Sequence, residues 1–516
     1  MSRKKEILLL TAIMLIAGAI RYLQTAHMGS FYWDELFSTI YSRFPWGQSW
    51  RYWAWETNPP LHLLLLKFWF YIFPVTEFWA RLPSIIIGVI SVPAIYILTK
   101  DWLGARAGML AAVLLAISPY HIFISSLARG YALLILLSIL AIYFFAKIFF
   151  QDNHDRMIYW FGALCHLLLM YTHLTGAMVI ISELVILILL RPQLIKRWIV
   201  WGAFPLLLWL IWAIPAIVLK FSANTVGRGW FFNIYNTWDV ALSAVQPLLI
   251  GTTTIPYFAL AAENPWEFSI WIACLAGHGL LLVYLTIKSF REQAKNIKQN
   301  YFFLSTAILF WLPILIAAAL HLWHIKFISV SLPFLLIITV YFIIVYDNLS
   351  TRILLIFLVG FNLMGGILAI KTMPINDWND INQFLSQHTG NHGKQALIYN
   401  NFIDRLFMEK YIKTSLPVIP YADPEDENTP FYDLAVHKNY WRFLRSGATL
   451  QTWYEKNNLK IYNQILLFSE DTNGVDLAKT LNNNGWILDS RLRSHTGDPR
   501  SISLYVRSTT TSTPNK

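Results

Sequence analysis

Residues 7–26 read ILLLTAIMLIAGAIRYLQTA, and residues 27–36 after them read HMGSFYWDEL. The first stretch is apolar for long enough to cross a hydrocarbon core, which takes about 20 helical residues. The second ends that run with aromatic residues and an acidic pair, Asp34-Glu35. Carboxylates beside a bilayer surface are costly to place, so a functional role is the first reading for them. The plainer reading is a solvated loop whose charges end a helix.

Similar apolar runs recur at 82–99, 106–120, 130–148, 157–172, 174–190, 198–216, 267–288, 302–320, 328–346 and 351–370. They predict a polytopic α-helical membrane protein with about 11–13 membrane helices. Composition agrees: 56% of the 516 residues are hydrophobic, 13% are charged, and mean hydropathy is +0.48. A soluble domain carries about twice that share of charge. The net charge of +11 does not point to nucleic acid, because much of the excess lies in short loops between apolar runs. The two cysteines, Cys165 and Cys274, fall inside apolar runs and form neither a disulfide framework nor a zinc-ligand spacing. The basic start, Arg3-Lys4-Lys5, leads into the first run with no small-residue cleavage site after it, which reads as a retained signal-anchor.

Basic residues also set the topology. Arg3 to Lys5, Lys100 with Arg106, Lys147 with Arg156, Arg191 with Lys196 and Arg197, and the series Lys288, Arg291, Lys295 and Lys298 mark the cytoplasmic side of a plasma (inner) membrane. Residues 27–60, 121–129, 217–266 and 321–327 then fall outside, and so does the tail. Between residue 60, outside, and Lys100, inside, the number of crossings is odd. The run 61–75 therefore reads as interfacial or re-entrant, with Pro59-Pro60 suited to a helix start.

Two domains are expected: a membrane-embedded domain over 1–370, with 27–60 as its first outer loop, and an extracytoplasmic domain over 371–516. The tail is polar and carries short β-like runs at 396–399, 465–468 and 502–506, with helical patterns at 404–412 and 475–481. Strands alternating with helices imply a small α/β fold. It shows no glycine-rich phosphate loop and no metal spacing, and reads as an accessory or acceptor-facing unit.

The outer side gathers ionisable groups from distant parts of the chain. They are Asp34, Glu35, Glu56, His62, Lys67, Arg81, His121, Arg129, His173, Arg228, His321, His324 and Lys326. Sugar transfer from a phospholipid carrier needs such a set. The leaving phosphate gains charge as the sugar–phosphate bond breaks, so cations must face it. Arginine suits phosphate through its planar fork of donors. A carboxylate must take the proton of the acceptor hydroxyl. Each cation also has a plainer reading as an interfacial anchor, a helix end or a snorkelling side chain. His62 and His173 also fit as buried hydrogen-bonding residues, and Glu183, deep in an apolar run, as the partner of an Arg or His on a neighbouring helix. No cofactor is required by the sequence. His173, His321, His324 and Glu56 are the candidate set for a divalent metal, and no local spacing demands one.

Several short motifs occur in a telling order: Asp34-Glu35, Asn58-Pro59-Pro60-Leu61, Arg81-Leu82-Pro83-Ser84, Ser118-Pro119, Ala128-Arg129-Gly130-Tyr131 and Lys326-Phe327 to Leu332-Pro333. Together they resemble the polyprenyl-phosphate-sugar-dependent glycosyltransferases, a superfamily of type C fold. Bacterial relatives of protein O-mannosyltransferases and the lipid A aminoarabinose transferases belong to it. The resemblance covers roughly residues 5–370. It implies an inverting transferase with a polyprenyl-phosphate-linked sugar donor and a glycan, lipid or protein acceptor in the cell envelope. By the same resemblance Asp34 is the base, Glu35 orients the first loop, and Arg81, Arg129 and Lys326 face the lipid phosphate. Glu56, Asn58, His62, His173 and Arg228 are the further substrate-binding candidates. The chain departs from the pattern in Asn58, where eukaryotic members have His, and in Lys326-Phe327, where Arg-Tyr is common.

Two other classes fit the composition. A transporter or flippase of lipid-linked sugars commonly shows internal repeats and helices broken near mid-membrane. No repeat is evident here, and the charges gather at one face. A non-catalytic envelope-assembly protein would need no base at Asp34.

Overall fold

In lipid a chain must satisfy its backbone hydrogen bonds internally, and helices do this within one segment. The computed structural model describes residues 2–55, 58–222, 265–293, 301–320, 325–346, 348–356, 358–360, 378–389, 394–399, 402–420, 447–470, 475–493 and 500–507. The chain divides into two units, one comprising Met1–His27 and Ser38–Thr372, the other Met28–Phe37 and Met373–Lys516.

The first unit is helical. Its elements begin with α1 (Arg3–His27), α2 (Trp33–Tyr41, shared with the second unit), α3 (Trp46–Trp55), α4 (Leu61–Trp69), α5 (Glu77–Leu103) and α6 (Ala105–Ile117). They continue with α7 (Pro119–Ser125), α8 (Tyr131–Phe149), α9 (Arg156–Thr172), α10 (Gly176–Leu190) and α11 (Ile195–Ser222). Further helices run over Pro265–Gln293, Tyr301–Ala319, Ile325–Ile328 and Leu332–Tyr346. Among the described residues six helices are long and apolar enough to cross a membrane, and α6 with α7 makes a seventh if the bent pair is one span. The expected crossing at 351–370 lies mostly outside the described residues. Helix α4 has nine residues, roughly 13 Å, less than half of a hydrocarbon core.

The bend between α6 and α7 is 61°, and its cause is local. Pro119 has no N–H to give the carbonyl of Leu115, so the helix stops and Ser118 N–H takes that oxygen at 3.4 Å instead. The freed Ala116 carbonyl meets the guanidinium of Arg21 on α1, whose Nη1 donates to it at 3.2 Å and to Ala17 O at 2.9 Å. Arg21 Nε donates to Ser125 Oγ at 2.9 Å, and Nη2 donates to His121 Nδ1 at 2.6 Å. Arg21 is fully buried, so these bonds replace water around a charge. Gly88 of α5 lets α7 come close: a Cβ there would stand 2.5 Å from Ser125 Cβ.

A second polar tie lies among α9, α10 and α11. Glu183 is fully buried, faces His166 Nε2 at 2.8 Å and accepts from Trp198 Nε1 at 3.1 Å. This is the partnered, structural role expected for an acid deep in an apolar run.

The second unit is an α/β fold. Its five-stranded sheet has the order β2-β1-β3-β5-β4, with β1 Gln395–Tyr399, β2 Val418–Pro420, β3 Gln464–Glu470, β4 Trp486–Arg493 and β5 Arg500–Arg507. Strands β2, β1 and β3 are parallel, and β5 pairs antiparallel with both β3 and β4. Period-two alternation sends Ile465 and Leu467 into a core with Trp453, Tyr454, Leu477 and Leu481. Phe468, of opposite parity, meets Trp378 at a ring separation of 5.8 Å. Helices therefore line both faces.

Candidate active site

The centre of the site in the first unit is the short link between α7 and α8. Arg129 Nη1 donates to Ser38 Oγ on α2 at 2.9 Å. Its carbonyl accepts from Ser84 Oγ on α5 at 3.3 Å, and its guanidinium lies 5.8 Å from the Tyr131 ring centre. Side chain and main chain of one residue thus bind two different helices. Next to it, a Cβ on Gly130 would come within 3.2 Å of His62 Cβ and 3.5 Å of Thr172 Cγ2. The glycine lets α4 and the end of α9 close on the arginine.

His62 is buried, and its Nε2 has no hydrogen-bond partner among the described residues. Burial, with Arg129 adding to it, pushes the imidazole down to about 3, so the ring is neutral at physiological pH. His173 ends α9. Its Nδ1 accepts from Thr175 N–H at 3.2 Å and meets Thr175 Oγ1 at 2.8 Å. A nitrogen that accepts from an amide carries no proton, so the neutral ring holds its proton on Nε2. The His173 ring lies 5.8 Å from Tyr131 and 6.3 Å from Phe327. Ser38, His62, Ser84, Arg129, Tyr131, His173 and Phe327 thus converge from six places in the sequence.

Of the other candidates, some are described and some lie outside the described residues. Arg81 is fully buried in α5, one turn before Ser84. Asn58 is half-buried and precedes Pro59-Pro60 at the start of α4. Lys326 sits on the helix Ile325–Ile328, but its side chain lies outside what is described, as do Glu56, Arg228, His321 and His324. Lys67 does something other than face a ligand. Its ammonium donates to the Phe44 carbonyl and to Ser49 Oγ at 3.2 Å, and lies 4.7 Å from the Trp46 ring centre. It fastens the turn between α2 and α3, and burial lowers its pKa. Among the described residues no group of three His, Cys, Asp or Glu side chains could hold a metal ion.

The acidic pair belongs to the second unit. Asp34 and Glu35 occupy the first turn of α2, where carboxylates oppose the positive end of the helix dipole. Glu35 is fully buried, and its Oε2 accepts from Tyr32 N–H at 2.9 Å. A glutamate at the third helical position reaching back to the residue before the helix is half of a capping box. Asp34 is half-buried. One residue before Tyr32, Phe31 is buried, and its N–H donates to Tyr411 Oη at 2.9 Å.

Ser38 was not foreseen, and Ser84 was read only as the end of the motif Arg81-Leu82-Pro83-Ser84, because a serine on a buried helix face carries no periodic signal. Arg21 was also missed as a structural centre. The signal was there: one arginine interrupts an otherwise apolar run at 7–26.

A sequence profile of the family described as dolichyl-phosphate-mannose-protein mannosyltransferase matches residues 57–218. No curated protein matches the sequence. The crystal structure of ArnT from Cupriavidus metallidurans bound to undecaprenyl phosphate is similar, with a TM-score of 0.51, 12% identity and 100% coverage of both chains. So is the oligosaccharyltransferase of Archaeoglobus fulgidus tethered to an acceptor peptide containing the NVT sequon, with a TM-score of 0.51 and 12% identity over 98% of this chain and 74% of that one. The same organism's AglB in complex with an inhibitory peptide and a dolichol-phosphate matches at a TM-score of 0.50 and 14% identity, covering 100% and 76%. At these identities the likeness is one of fold, helices long and apolar enough to cross a membrane together with a small C-terminal α/β unit.

Proposed function

We propose that this chain is an integral-membrane glycosyltransferase of the plasma membrane. It moves a sugar from a polyprenyl-phosphate donor to an extracytoplasmic glycan, lipid or protein acceptor. Residues 1–370 carry the transfer and residues 371–516 form the extracytoplasmic accessory domain. The observation that carries the reading is Arg129. An arginine bound through side chain and main chain to two helices, flanked by neutral His62 and His173, is a preorganised cation for a leaving phosphate. The type C fold supports the lipid-linked class of donor.

The reaction in this reading is one displacement with inversion. The acceptor oxygen attacks the anomeric carbon from the face opposite the phosphate. The carbon–oxygen bond to phosphate breaks and its electron pair leaves with the polyprenyl phosphate. Asp34 takes the acceptor's proton. Arg129 faces the growing phosphate charge, with Arg81 and Lys326 as its companions. Glu35 caps the start of α2 through Tyr32 N–H. Glu56, Asn58, His62, His173 and Arg228 shape the sugar and acceptor pocket.

Purified protein in vesicles, supplied with a pool of polyprenyl-phosphate sugars and envelope acceptors, tests this by mass spectrometry. Wild-type protein is expected to release free polyprenyl phosphate and yield an acceptor heavier by one sugar. Asp34→Asn is expected to insert normally and transfer nothing. Wild-type turnover by Asp34→Asn removes the base, and donor that crosses the bilayer with its sugar intact identifies a flippase instead.

A further inference from the structure

The segment Met28–Phe37 sits early in the chain, yet it forms one unit with the tail. Its anchor is specific. Tyr411, the last residue of the helix Phe402–Tyr411, accepts the Phe31 N–H at its phenolic oxygen, 2.9 Å away. The Lys410 ammonium lies 5.1 Å from the Phe31 ring centre and 5.5 Å from that of Tyr411. Tyr411 is itself held from behind. Trp378 stacks on its ring at 5.9 Å and 9°, and Asn382 Nδ2 donates to its carbonyl at 3.0 Å. Asn382 Oδ1 accepts from Lys413 N–H at 2.8 Å, and Trp378 packs on Phe407 at 5.2 Å and on Phe468 of β3 at 5.8 Å. A continuous set of contacts runs from the central sheet to the backbone three residues before Asp34.

We propose that Tyr411 is a positioning residue for the acidic pair: its phenolic oxygen fixes the Phe31 backbone and so sets where α2 begins and where Asp34 points. The proposal rests on Asp34 being the base of the transfer described above. Two consecutive amides precede α2, and both are committed. Tyr411 takes that of Phe31, and Glu35 takes that of Tyr32. The Glu35 bond is local and travels with the helix, so it cannot fix α2 against the rest of the unit. The Tyr411 bond spans 380 residues of sequence and can. The tail, in this inference, is more than an acceptor-facing accessory, because it holds one end of the catalytic helix.

Tyr411→Phe keeps the ring, its stack on Trp378 and the charge of Lys410, and removes the phenolic hydroxyl that accepts the Phe31 N–H. Two measurements on the full-length protein in detergent or vesicles are expected to move. Hydrogen exchange of the peptide covering Met28–Phe37 speeds up, while peptides over β1 and β3 exchange as in the wild type, which shows that the sheet is intact. In the transfer assay kcat falls about tenfold with the donor KM unchanged, the loss typical of one hydrogen bond that acts on the reacting geometry. Lys410→Gln, at an exposed position, is expected to shift both readouts in the same direction by about two- to threefold. Unchanged exchange over Met28–Phe37, or faster exchange with unchanged kcat, overturns the positioning role while leaving the transferase reading intact. Absence of transfer by the wild type overturns the functional reading, and the positioning role with it, whatever the exchange shows.

Discussion

At the scale of single residues, the candidate site depends on hydrogen bonds of known partners, and each makes a definite demand. Ser38→Ala removes the oxygen that holds Arg129 Nη1. A bond to a charged group contributes about 1.5 kcal/mol or more, so kcat/KM is expected to fall at least about tenfold, measured by steady-state transfer. Full activity in Ser38→Ala would dismiss the idea that this bond aims the guanidinium. His62 makes a demand on stability. Its folded pKa of about 3 lies below the ordinary 6.5, so only the unfolded chain binds this proton between those values. Stability is complete above pH 6.5 and declines as pH falls toward 3, by at most about 1.4 kcal/mol per pH unit for this one group. Denaturant titrations in detergent at pH 7, 6, 5 and 4 should show that slope in the wild type and a shallower one in His62→Asn. Arg129, His62 and His173 were legible as candidates because charged and polar residues on the outer side of an apolar chain stand out. What could not be read was their partners. Ser38 gave no pattern, Ser84 stood in a motif without a role, and the glycine that admits His62 reveals its purpose only once α4 and α9 are seen closing on it.

At the scale of elements, hydropathy located the helices well, since a membrane crossing is a long, uniform signal. The runs read at 82–99, 130–148 and 302–320 became Glu77–Leu103, Tyr131–Phe149 and Tyr301–Ala319. The run 106–120 became a broken pair, and the break follows from Pro119, whose missing N–H leaves carbonyls that only a tertiary donor can meet. Arg21 is that donor. Replacing it with leucine strands the Ala116 carbonyl and His121 Nδ1 in a buried place. Arg21→Leu is therefore expected to destabilise the protein by roughly 3 kcal/mol, seen as an earlier thermal transition in detergent. An unchanged transition would show that the bend between α6 and α7 stands without the guanidinium. Helices α2 and α3 were not foreseen inside the first outer loop, because each is about ten residues long and mixes aromatic with polar side chains. Their turn is held by Lys67, a residue that looked like one more outer-face cation.

At the scale of the whole molecule, the α/β character of the tail was legible from its central strands and not from its edges. Strands β1, β3 and β5 are flanked on both sides and carry apolar runs that announce them. The two that escaped notice, β2 and β4, are the edges. The first is three residues long after Pro417, and the second mixes exposed Ile487 and Leu488 with Asp489, Arg491 and Arg493. Charge on an edge strand discourages pairing with another chain, and it also hides the strand from a reader of hydropathy. The extracytoplasmic side proposed for this sheet rests on basic residues alone: Arg3 to Lys5 before α1 and Lys100 near the end of α5 read as cytoplasmic, and the count of crossings then assigns the tail to the other side. In a background with Cys165 and Cys274 replaced, Glu455→Cys on the exposed side of a tail helix should react with a membrane-impermeant maleimide added outside intact cells. Lys100→Cys should react only after the membrane is opened. Labelling of both positions from outside would break the parity of crossings between them. Labelling of Glu455→Cys from the cytoplasmic side alone would invert the protein, and Asp34, which shares a unit with that sheet, would then face a compartment where an extracytoplasmic acceptor is never met.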